Sequence, residues 1–119
     1  MPYDQTNIFA KILRGEIPCK KLYEDEFALA FPDINPKAPV HVLVIPKGAY
    51  IDHGDFTSRA SEKEVAGFEK AVGKVAEIAG AAKDGYRLIS NCGANAHQEV
   101  PHYHIHILAG RPLGSMLAK

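Results

Sequence analysis

The chain has 119 residues, 46% hydrophobic and 24% charged, the composition of one ordinary globular domain spanning 1–119. Fourteen basic and fourteen acidic side chains cancel to a formal net charge of zero, which argues against a nucleic-acid or anionic-membrane partner. The absence of a signal-peptide core or a membrane-length apolar run, with Cys19 and Cys92 as the only thiols, suggests a reducing, cytoplasmic setting.

In chain order, NIFAKILRG predicts a short first helix. Ile8, Phe9, Ile12 and Leu13 share helical spacing, Asp4, Thr6 or Asn7 can cap the start, and Gly15 fits just past the end. Three β candidates follow: KKLYE, FALAFPD and VHVLVIP. The last is apolar at nearly every position, as in a strand covered on both faces. FPDINPKAP, rich in proline with an Asp and an Asn, reads as an ordered turn.

A long helix is the clearest local expectation. Ser61 and Glu64 match a capping box, and Val65, Phe68, Val72, Val75 and Ala79 form one apolar face. Gly67, Ala71 and Ile78 make a second stripe of mostly small residues. Gly67 and Gly73 inside a helix each cost about 1 kcal/mol against Ala, either as tolerated imperfections or to let another element or subunit approach. The turn AKDG, the strand YRLISN, the polar loop CGANAHQEV and the segment PHYHIHILAG follow. This order predicts an α+β domain with a mainly antiparallel sheet.

Strand alternation would send His102, His104 and His106 to one face and Tyr103, Ile105 and Ile107 to the other. Three uses of such a face compete. A solvated polar face would be served equally well by Thr, Lys or Glu. A zinc site fits poorly, because the outer two histidines of a straight strand lie about 13 Å apart, although two of them could join His41 or His97. Covalent catalysis occupies all three: one imidazole attacks phosphorus, a neighbour donates to the phosphate or leaving group, and the third orients the nucleophile.

HYHIHIL resembles the histidine triad (HIT) signature. IFAKILRGEIP, AFPDINPKAPVHVLVIPK, DGYRLISN, QEV and GRPLGSMLA are similar to bacterial members of the Hint branch, over about Ile8 to Ala118. The resemblance implies a HIT fold: a mainly antiparallel five-stranded sheet with one long and one short helix. It also implies a homodimer that works without a metal or other cofactor on a small purine nucleotide. The implied activity is hydrolysis of purine nucleoside 5′-phosphoramidates, and for some members acyl-adenylates, through a nucleotidyl-histidine intermediate. Its alternatives are a dinucleoside polyphosphate hydrolase of the Fhit type and a nucleotide-binding sensor with little turnover.

By position, the resemblance makes His104 the nucleophile, His106 the phosphate and leaving-group partner, His102 a supporting member and His41 the backing histidine from a neighbouring strand. Asp33 would bind the ribose hydroxyls. Ile8, Phe9, Ile12, Ile17, Phe31, Ile34 and Leu43 match positions around base and ribose, and Asn91, Gln98, Glu99 and Val100 match positions near the phosphate. Glu99 replaces the serine of eukaryotic members, and its carboxylate is expected to turn away from a phosphate. His97 stands where Gly is usual, Pro101 replaces an aromatic residue, and Ala109 replaces the first of a Gly pair. The lack of a GxxxxGK[ST] loop and of an acidic cluster suited to Mg²⁺ agrees with metal-free chemistry on one phosphate.

Overall fold

Among residues 2–117, the part described by the computed structural model, five strands make one antiparallel sheet. They are β1 (Tyr23–Glu24), β2 (Ala28–Pro32), β3 (Val40–Pro46), β4 (Arg87–Ile89) and β5 (Ile105–Ala109), in the spatial order β1-β2-β3-β5-β4. The helices are α1 (Ile8–Leu13), α2 (His53–Arg59) and α3 (Glu62–Ile78). The expected α+β architecture is present, with α2 as a second short helix beyond the expected pair. Ala118, the expected end of the family resemblance, lies outside the described residues.

Each helix start has a chemical cause. Of the three candidate caps for α1, Asn7 takes the role: its side-chain oxygen accepts from the Ala10 N–H, while Asp4 accepts from the Thr6 backbone and hydroxyl. In α3, Ser61 and Glu64 make the reciprocal capping box. α2 is opened by Asp52, which accepts from the Asp55 N–H at 2.8 Å, and is pinned by buried Phe56. Seven residues containing Gly54 give too short a periodic signal to read from sequence.

The sheet separates two apolar clusters. On one face, Ala28, Ala30, Val42, Val44 and Ile107 pack against Phe68, Ala71, Val72, Val75 and Ala76 of α3 and Phe56 of α2. On the other, Leu29, Phe31, Leu43 and Ile45 meet Phe9 of α1. β3 is therefore covered on both faces, as its nearly continuous apolar run predicts.

The small-residue stripe on α3 divides by use. Ala71 is buried in the monomer's own core, whereas Ile78 is exposed. A methyl group at Gly67 would collide with the Phe27 ring, so Gly67 admits that ring. Gly73 has open space where a side chain would be.

The histidine segment departs from one regular strand. β5 begins only at Ile105, with His102 to His104 in an extended approach to it. The two-face alternation nevertheless holds: Tyr103 and Ile107 join the α3 cluster, while His104 and His106 line a cavity on the opposite face. Tyr103 N–H donates to Tyr50 O at 2.8 Å, a bond outside the sheet ladder that anchors the approach.

Candidate active site

A cavity of about 370 Å³ opens on the α1 face of the sheet, over the central strands. His104 and His106 arrive from β5 and the segment before it, and His41 and Leu43 from β3. Asp33 follows β2, and Ile89 comes from β4. Cross-strand register explains the meeting of His41 and His106. Leu43 pairs with His106 and His41 with Leu108, so the two imidazoles are diagonal neighbours on one face. His41 Nε2 lies 2.9 Å from His106 Nδ1.

The hydrogen-bond partners dictate the ring tautomers. Lys37 N–H donates to His41 Nδ1 at 3.0 Å. His41 therefore carries its proton on Nε2 and donates it to His106 Nδ1, which leaves His106 with an Nε2–H to offer a ligand. His104 runs the other way. Its Nδ1–H donates to His102 O at 2.7 Å, so its Nε2 holds a lone pair. One of the two cavity histidines presents a donor and the other an acceptor lone pair.

Burial keeps these rings neutral. His106 is pushed down to about 4, first by desolvation and then by His104 and His41, against the pull of Asp33. His104 is also lowered by desolvation, partly offset by its bond to His102 O and by the charges of Asp33 and Glu99. His41 is lowered for the same first reason, with Asp33 opposing and Lys37 adding to the shift. His102 is wholly buried and falls to about 4. A neutral imidazole is the form that can act as a nucleophile.

Asp33 is braced by its own turn. Its Oδ1 accepts from the Asn35 N–H at 2.8 Å, and its N–H donates to His41 O at 2.9 Å. Oδ2 remains 3.4 Å from His41 Nε2, and Asp33 lines the cavity. Asp33, His41 and His106 each offer a ligand atom within 4.8 Å of the others, so this corner could also hold a metal ion.

Of the residues expected around a nucleotide, Asp33, Phe9, Leu43, Asn91, Glu99 and Val100 line the cavity. Phe9 stands edge-on to His104, with ring centroids 5.0 Å apart, and Phe31 lies behind it, also edge-on, at 5.7 Å. Phe31 and Ile12 belong to the core cluster under α1. Ile8 is 43% and Ile34 88% exposed; neither they nor half-buried Ile17 lines the cavity. Gln98 braces the loop, accepting from Gly93 N–H and donating to Ile51 O and Val100 O.

Lys37, Asn35, Ile89 and Leu108 also line the cavity and were not anticipated. Strand alternation alone would have found Ile89 and Leu108, which share the face of His106. The Glu99 side chain is 78% exposed, 3.5 Å from His97, at the cavity's loop side. His97 sits in the left-handed region at φ 56°, a conformation that favours glycine.

Residues 14–113 match the family model described as HIT domain. A 13.2 kDa HIT-like protein of Azospirillum brasilense is 66% identical over 117 residues, covering 98% of this chain and 96% of that one. A protein of Escherichia coli K12 named purine nucleoside phosphoramidase is 45% identical over 114 residues, 96% of this chain and 95% of its own. Among solved structures, a HIT family hydrolase from Clostridium thermocellum superposes with a TM-score of 0.83 at 42% identity, covering 97% of this chain and 99% of that one.

Proposed function

The chain belongs to the HIT domain family, and from that membership we propose that it hydrolyses purine nucleoside 5′-phosphoramidates to the nucleoside monophosphate and an amine. The observation that carries this is the opposed tautomer order of the two cavity histidines, a lone pair on His104 Nε2 and a donor on His106 Nε2. The 45% identical phosphoramidase of Escherichia coli supports the same substrate class.

In the proposed reaction, His104 Nε2 attacks phosphorus and the P–N bond breaks, giving a nucleotidyl-His104 intermediate. The ring gains positive charge as the new bond forms, and its Nδ1–H bond to His102 O stabilises that charge. The leaving nitrogen needs one proton, and His106 Nε2–H is the donor at hand. Full transfer requires the His41–His106 pair to hold one proton more than the two neutral rings carry. An anionic phosphoryl group beside the pair favours that extra proton. Water then attacks the intermediate, the monophosphate leaves with His104 regenerated, and the proton taken up is returned.

Asp33 Oδ2 is available to accept from vicinal ribose hydroxyls, since Oδ1 is engaged by Asn35. Phe9, Leu43 and Val100 give the cavity an apolar wall suited to a purine. Acyl-adenylates present the same nucleotide half and are included in the proposal. No metal takes part.

We also propose a homodimer in the cytoplasm. The outer edge of β4 is unpaired among the described residues, and Tyr86 and Leu88 beside it are 42% and 43% exposed. Both cysteines are free, and no helix among the described residues is long and apolar enough to cross a membrane.

The test is turnover of an adenosine 5′-phosphoramidate with intact-mass detection of the adduct. Wild type should show a nucleotidyl mass that His104→Ala lacks. Undiminished turnover by that variant would overturn the nucleophile assignment.

A further inference from the structure

Tyr3, outside every residue given a role above, reaches His102 across ninety-nine positions of sequence. The segment that carries it is built rather than loose. Asp4 accepts from both the backbone and hydroxyl of Thr6, and Asn7 donates from its side chain to Asp4 O at 2.7 Å while capping α1. Arg14, at the far end of α1, donates to Gln5 O at 2.9 Å. Together these bonds fix the approach of Tyr3 to the histidine segment.

The His102 ring is wholly buried and fully committed. Its Nε2 faces Pro46 O at 3.0 Å, a pure acceptor, so Nε2 carries the proton. Nδ1 is then a lone pair, and the Tyr3 hydroxyl donates to it. The two rings also meet edge-on, with centroids 5.6 Å apart, and Phe9 closes a further side at 6.3 Å. The carbonyl of this same residue accepts the His104 Nδ1–H. Whatever pins the His102 ring thus also pins the acceptor that keeps the His104 lone pair on Nε2.

We propose that Tyr3 is a positioning residue: by holding His102 between its hydroxyl and Pro46 O, it fixes the carbonyl that sets the tautomer and aim of His104. This rests on His104 being the nucleophile, although the tautomer half can be tested without turnover. Without the hydroxyl, a buried Nδ1 loses its partner. The ring then gains freedom to turn, and its backbone turns with it.

Tyr3→Phe keeps the edge-on ring and removes only the donor. The variant should lower kcat about tenfold while KM stays within about twofold, because positioning for attack is lost and binding is not. In ¹⁵N–¹H spectra of the histidine side chains, the wild-type His104 Nδ1–H signal should be single and protected, and in Tyr3→Phe it should weaken or exchange faster. An unchanged His104 signal with kcat at the wild-type value overturns the proposal. So does a loss of kcat that disappears when rates are corrected for the folded fraction measured by thermal melting. If wild type itself forms no adduct on His104, the nucleophile reading fails, while the Nδ1–H signals of wild type and variant still decide whether Tyr3 sets that tautomer.

Discussion

His41 Nε2 and His106 Nδ1 lie 2.9 Å apart, and the backbone N–H of Lys37 behind His41 gives that contact a direction. The proton must sit on His41 Nε2, so His106 is obliged to present an N–H to the cavity. His41→Phe keeps ring volume but removes this donor, freeing His106 to turn or change tautomer. We expect kcat to fall by about 10²-fold, the lower end for loss of acid–base assistance. Steady-state kinetics on an adenosine phosphoramidate checks this; a variant with wild-type kcat would remove His41 from the mechanism.

Substrate binding should take up protons. Burial holds His106 down to about 4, and an anionic phosphate beside it reverses part of that shift. Binding of an unreactive nucleotide analogue should show an observed enthalpy that varies with the ionisation enthalpy of the buffer near pH 6. Enthalpies identical across buffers would leave the leaving nitrogen without its proton source.

Below the usual histidine range stability should fall while activity persists. His102 is lowered from 6.5 to about 4 by desolvation, outweighing its bond to Pro46 O. Between those values the folded protein binds fewer protons than the unfolded chain, so this stability is complete above pH 6.5 and is lost as pH falls toward 4. For fully buried His102 the difference amounts to about 3 kcal/mol. Urea titrations across that window should show it. His104 is lowered in the same direction, so the acid limb of kcat/KM should lie below 6.5. A limb at or above that value would show a nucleophile that burial does not protect.

Treatment with a chelator should leave turnover unchanged, since no proposed step uses a metal. Added zinc should inhibit competitively with nucleotide, because Asp33, His41 and His106 can gather around an ion at the phosphate's place. Activity abolished by chelation and restored by zinc would replace the metal-free mechanism.

The two helix glycines should respond oppositely to the same change. Gly73→Ala meets open space and should stabilise the protein by about 1 kcal/mol. Gly67→Ala collides with the Phe27 ring and should destabilise it despite the same gain in helix propensity. Equilibrium denaturation of the two variants makes the comparison; equal stabilisation would show that Phe27 swings aside freely.

Legibility in the sequence followed the range of the forces involved. The capping box of α3, the doubly covered β3 and the alternation of the triad are written in neighbouring residues, and all three are present. α2 was missed because Asp52, Phe56 and Arg59 act through Asp55, Tyr50 and the core rather than through a long period. Phe9 was legible as a wall, whereas Ile8 and Ile12 share its helix but face elsewhere, since one short helix turns only one side chain into the cavity. The roles of Lys37 and Tyr3 were invisible for a different reason. One contributes a backbone N–H and the other a contact made only after the chain ends meet the sheet. Neither leaves a pattern at fixed spacing.

The triad and His41 stand on paired strands or bonded extended chain, whereas His97 and Glu99 ride a short loop closed mainly by Gln98. Changes in that loop would therefore reshape the cavity's rim while His41, His104 and His106 stay put. Divergence among relatives should concentrate there, leaving a conserved engine beneath an adaptable rim.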